Sequence, residues 1–119
     1  MNSYSELFNH VIDSVEFASG VTNIRKENRK REYVDARRIA FYILRKIHGL
    51  PIQAIGKEFN KHHASVLYGI RDVEFLIKTD SFFEETYNKT MAKIAIGNFR
   101  KEEIMKEIKK LQEEFLTLI

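Results

Sequence analysis

Residues 52–77 read IQAIGKEFNKHHASVLYGIRDVEFLI. In the first half Ile52, Ile55 and Phe59 share one side of a helix of about two turns, and Pro51 suits its first turn, where a missing N–H costs nothing. Asn60 falls where the chain must turn, and asparagine tolerates the positive φ of a tight helix-to-helix connection. Val66, Ile70, Val73 and Ile77 then recur at spacings of four, three and four, the apolar stripe of a second amphipathic helix. Gly56 stands where the two helices must approach closely. Two short helices joined in this way make a helix-turn-helix at about residues 52–78. The second helix turns outward Lys61, His62, His63 and Ser65, with Tyr68 and Arg71 farther along the same side. Each can donate a hydrogen bond in some protonation state, and this is the set a recognition helix presents to a major groove.

The same helical period extends to both sides, and no stretch alternates with period two for long enough to suggest a strand, so the fold class is all-α. Upstream, Ser3 and Glu6 have the spacing of a capping box, Leu7, Phe8, Val11, Ile12 and Val15 form one apolar face, and Gly20 supplies a stop. Val21 to Arg31 is basic and weakly periodic, a single turn around Ile24 followed by a loop. A long helix with Ala36, Ile39, Ala40, Ile43 and Ile47 on its face follows, ended by Gly49. Downstream, Asp80 or Ser81 caps a helix carrying Phe83, Tyr87, Met91 and Ile94. Gly97 is expected to stop it and Asn98 to open a last helix, with Ile104, Ile108, Leu111, Phe115 and Leu118 in four-three alternation. This divides the chain into a helical unit at 1–96 and a terminal amphipathic helix at 97–119.

The charge is placed unevenly over the 119 residues. The formal net charge is +3, but residues 21–78 alone hold thirteen bases and six acids, while both flanks are slightly acidic. Arg25, Lys26, Arg29, Lys30 and Arg31 form a dense block, with Arg37, Arg38, Arg45 and Lys46 on the helix beyond it. Such a block suits a polyanion. With no cysteine, thiolate metal sites, disulfides and a cysteine nucleophile are excluded. The longest wholly apolar run, Ile39 to Leu44, is far short of the roughly 20 residues that span a bilayer, and the start lacks a basic-then-apolar signal pattern, so a cytoplasmic, nucleoid-associated protein with no membrane contact is expected.

Two motifs carry a resemblance to a known family: residues 25–50, RKENRKREYVDARRIAFYILRKIHGL, and the 52–77 segment. From roughly Val11 to Met91 the chain resembles the C-terminal DNA-binding domain of the bacterial DnaA replication initiator. The family pattern in the second motif is Leu-Pro-x-Ile-Gly-x-x-Phe, a glycine turn, then Arg-Asp-His-Thr-Thr-Val-x-His-Ala. Ile55, Gly56, Phe59, His63 and Val66 match it, with Lys61 for the arginine and Ser65 for the second threonine. His62 stands where the family has Asp, Ala64 replaces the first threonine, Tyr68 the following histidine and Gly69 the alanine, and the turn is one residue shorter.

The resemblance implies a DnaA C-terminal-like helical domain that binds double-stranded DNA sequence-dependently, in replication or transcription control. It implies Arg31 as a loop arginine entering the minor groove, Arg37, Arg38 and Arg45 on the backbone, Lys61, His62, His63 and Ser65 at base edges, and Tyr68 on phosphate. Arg29, Lys30 and Arg71 add backbone cations. Since Asp accepts from cytosine N4 whereas His donates toward guanine or phosphate, the family's DNA site does not carry over with the fold. No G-x-x-x-x-G-K-[ST] loop is present, so the expectation is a stand-alone module without the ATPase.

Other chemistries find less support. His62 and His63 diverge by about 100° on a helix, and neither His10 nor His48 brings a thiolate or clustered carboxylates to complete a metal site. Ser65 and His63 share a helix start without a glycine-rich elbow, so no active site and no cofactor are expected. Phe82, Phe83 and Tyr87 read as core packing. The terminal seam at Ile104, Ile108, Leu111, Phe115 and Leu118 has the 3.5-residue period of a coiled coil, which suits a homodimer or protein partner as well as packing back on the domain. The competing function is therefore a protein adaptor that uses this helix as its interface; an RNA-binding role would need more exposed aromatics than Tyr33 and Tyr68.

Overall fold

The structure, a computed structural model, describes residues 4–117; the Ser3 cap and Leu118 of the terminal seam lie outside the described residues. The helices are α1 (Ser5–Ser19), α2 (Arg31–Tyr42), α3 (Ile52–Phe59), α4 (His63–Thr79) and α5 (Ser81–Thr117), with a π-helical turn at Ile43–Ile47 continuing α2. No strand occurs among the described residues.

The stripes read from the sequence are the faces that meet. Phe8, Val11, Ile12 and Val15 of α1 are fully buried, together with Ile39, Ile43, Ile55, Phe59, Val66 and Val73 from the next three helices. Each such side chain taken out of water stabilises the fold by about 1.5–3 kcal/mol. Phe41 meets Phe59 edge to face, ring centroids 4.9 Å apart, and locks α3 under α2. α2 runs antiparallel to α4: Arg31 reaches Asp80 at one end and Arg38 reaches Asp72 farther along. Ile24 is the buried pin of the loop between α1 and α2, its N–H donating to the Glu16 carboxylate.

Three expectations are corrected. α5 does not stop at Gly97 but runs unbroken for 37 residues. A glycine inside a helix costs only about 1 kcal/mol, and here it answers a contact, since a Cβ at Gly97 would lie 3.1 Å from Cε1 of His10 on α1. Phe82 is 70% exposed, not core; Phe83 beside it takes the buried position. Ile47 is half exposed because the π turn carries more residues per turn than an α-helix and rotates it off the α2 stripe. Asp80 is the junction of α4 and α5, its Oδ1 accepting from the N–H groups of Phe82 and Phe83.

Candidate nucleic-acid interface

The helix-turn-helix is held shut by its turn. Asn60 adopts φ 53°, and the Lys61 N–H returns to the Gly56 carbonyl at 2.8 Å. A side chain at Gly56 has no room, because its Cβ would come within 2.6 Å of the Lys61 carbonyl oxygen. Val66, fully buried, anchors α4 from below. The head of α4 is thereby fixed in the open, with His62 and His63 exposed.

His62 is the N-cap: its Nδ1 accepts from the Ala64 N–H at 3.2 Å. The His62 and His63 rings lie against each other, centroids 4.2 Å apart. The positive end of the helix dipole makes this head suitable for an anion. Farther along, Tyr68 is exposed with the Arg71 guanidinium 5.1 Å over its ring.

Beside this head runs a cleft whose lining includes Glu27, Arg29, Arg37, Arg38, Lys61, Ser65, Tyr68 and Asp72. It brings residues of the basic loop and of α4 together. Lys61 pairs with Glu27 of that loop, whose carboxyl is held below the ordinary carboxylate range by the hydrogen bond and charge of Lys61. Arg38 lies between Asp35 at 3.0 Å and Asp72 at 3.5 Å. Arg29 and Lys30 are exposed. Arg45 donates to the Leu50 carbonyl at 3.0 Å and braces the turn into α3.

Two arginines stand elsewhere than expected. Arg37 is 5% exposed, and its guanidinium donates to the carbonyls of Ile24, Lys26 and Asn28, which occupies it with the loop. A fork of five donors that meets three loop carbonyls is a loop-holding device. Arg31 is exposed but bonded to Asp35 and Asp80, both at 3.1 Å. Asp80 is the C-cap of the 17-residue α4, about 25 Å along the helix from His63.

A match to the family model for the bacterial DnaA protein helix-turn-helix covers residues 9–73. The chain belongs to this family. It is a DnaA-like, DNA-binding helix-turn-helix domain. The chromosomal replication initiator protein DnaA of Lachnoclostridium phytofermentans is 37% identical over 82 residues, 68% of this chain and 18% of that protein. That of Mycoplasma genitalium is 39% identical over 59 residues, 50% of this chain and 14% of its own length. The Kosmotoga olearia protein is 30% identical over 91 residues, 74% and 20% respectively. The chain thus corresponds to a fifth or less of these DnaA proteins. The family match ends part-way along α4, so α5 lies outside it.

Leu67 stands at the unspecified position of the DnaA pattern and is not among the residues the sequence reading places at the site. It is 46% exposed and lies one turn from both His63 and Arg71, in the row that faces outward. The spacing places it there, outside the Val66, Ile70, Val73 and Ile77 stripe. Among the described residues no three His, Cys, Asp or Glu side chains gather to hold a metal ion, and no helix is long and apolar enough to cross a membrane.

Proposed function

We propose that this DnaA-like domain binds double-stranded DNA sequence-dependently and without catalysis, at the nucleoid, in replication or transcription control. Lys61, His62, His63 and Ser65 at the head of α4 read base edges in the major groove, joined by Leu67, whose apolar surface suits a thymine methyl group. Arg29, Lys30, Arg38, Arg45, Tyr68 and Arg71 hold the backbone. Arg29 takes the minor-groove role in place of Arg31: it shares the cleft with Lys61 and Ser65, and an arginine beside the recognition helix is drawn to the negative potential of the adjacent narrow groove. In this reading residues 1–96 are the DNA-binding unit, and residues 97–119 a helix for contact with protein.

The observation that carries the reading is the exposed, capped head of α4 beside a cleft shared with the basic loop. Selection from random duplex pools tests it. A recovered motif, with affinity that falls steeply as salt rises, is the expected result, because each neutralised phosphate releases condensed counterion. Salt-independent binding, or none, would remove the reading.

A further inference from the structure

α5 carries one unbroken heptad stripe. Phe83, Tyr87, Thr90, Ile94 and Gly97 succeed one another at spacings of four, three, four and three, and Lys101, Ile104, Ile108, Leu111 and Phe115 continue in the same register. The first part is covered: Phe83, Thr90 and Ile94 are buried, and His10 of α1 sits on Gly97. From residue 101 to 117 every side chain is exposed, and Ile104, Ile108, Leu111 and Phe115 are 44–65% open to water. An uncovered helix of this length is marginal in water unless its apolar stripe is packed.

We propose that the occupant of this stripe is the same segment of a second copy, joined as a parallel, in-register two-stranded coiled coil. This deepens the reading of residues 97–119 as a protein contact. Three features select it. Residues 101–117 hold four lysines and five glutamates, so a strongly acidic or basic partner finds no complement, whereas a copy of itself does. With Ile104 and Leu111 at d and Ile108 and Phe115 at a, Glu107 and Glu114 occupy g. Antiparallel strands set g against g and would oppose Glu107 to Glu114; parallel strands set g against the following e, where Glu107 meets Gln112. Lys101 stands at a, and a single lysine at an a position specifies register and oligomer state in parallel coiled coils, at some cost in stability. The parallel pair has a two-fold axis along α5, so the two α4 heads would address inverted half-sites.

The test is the mass of the full chain in solution across a concentration series. The expected result is twice 14.1 kDa for the unaltered chain and 14.1 kDa for Leu111→Asp, with the thermal transition of the DNA-binding unit unchanged because Leu111 touches none of its core. Since the chain has no cysteine, Lys101→Cys supplies a unique thiol that bridges under mild oxidation only when the strands are parallel and in register. A monomer at every concentration, or a dimer indifferent to Leu111→Asp, overturns the proposal; a Leu111-dependent dimer whose introduced thiol fails to bridge overturns the parallel arrangement. A dimer that meets both criteria yet binds no duplex upholds the pairing and removes only the DNA reading.

Discussion

A Cβ placed on Gly56 would lie 2.6 Å from the carbonyl oxygen of Lys61. The contact is with main chain, in a turn whose bonds fix where α4 begins, so no side-chain rotation relieves it. Gly56→Ala must push the turn open, and overpacking of this kind costs about 1–3 kcal/mol. The expected result is a drop in the unfolding midpoint of about 4 °C or more, read by circular dichroism. DNA affinity should fall with it, since the head of α4 moves. A variant as stable as the parent would contradict this account of the turn.

Arg29 and Arg37 are both basic, yet they should fail differently. Arg29→Ala removes a cation from the cleft and should shallow the dependence of log affinity on log salt by about one unit, with the midpoint of unfolding unchanged. Arg37→Ala strips donors from three loop carbonyls and should cost about 1–3 kcal/mol of stability. Titrations of a labelled duplex at several salt concentrations, beside thermal melts, separate the two. If Arg37→Ala melts with the parent, the loop is held by something else.

His63 and Leu67 should govern which duplex is bound more than how tightly duplexes bind in general. Replacing either by Ala is expected to cost about 1–3 kcal/mol on the selected sequence and less on a scrambled one of equal composition. Equal losses on both would make His63 a backbone anchor and leave Leu67 without a base to read.

Partial burial, and the charge of His10 nearby, hold the His48 imidazole below its usual 6.5. As pH falls through 6.5 the unfolded chain takes the proton first, so this group's contribution is complete above 6.5 and is lost as pH drops toward the folded value. Midpoints measured from about pH 7 to pH 5 should decline more steeply for the parent than for His48→Gln. Parallel declines would assign the acid sensitivity to other groups.

The elements that could be read in advance are those whose residues act locally. Pro51, Gly56, Asn60 and the Val66–Ile70–Val73 stripe each constrain their own few bonds, and together they give the helix-turn-helix before any tertiary contact is known. Gly97 was misread because its reason lies on another helix: only the approach of His10 explains a glycine in mid-helix. Phe82 and Phe83 are chemically alike and adjacent, so the angle at which α5 leaves Asp80 decides which is buried. Charge and alignment assign Arg37 and Arg31 to DNA, but neither shows the acceptors they meet: Arg37 turns back to three carbonyls of the loop before its own helix, and Arg31 meets Asp35 one turn along α2 and Asp80, which the packing of α2 on α4 brings to it.

Glu27 on Lys61 and Asp72 on Arg38 hold carboxylates against two cations that the proposed function gives to DNA, one to a base edge and one to the backbone. The surface therefore carries its own tethered mimic of a polyanion, and in the proposed function engagement of a duplex would exchange one anion for another. Such an exchange cancels part of the bulk attraction, so a duplex offering charge without the right groove gains little. It also speeds departure, since each carboxylate is already within reach when a phosphate lets go. Under the proposed function, such a domain would sample wrong sites briefly and owe part of its selectivity to the acids it keeps among its arginines and lysines.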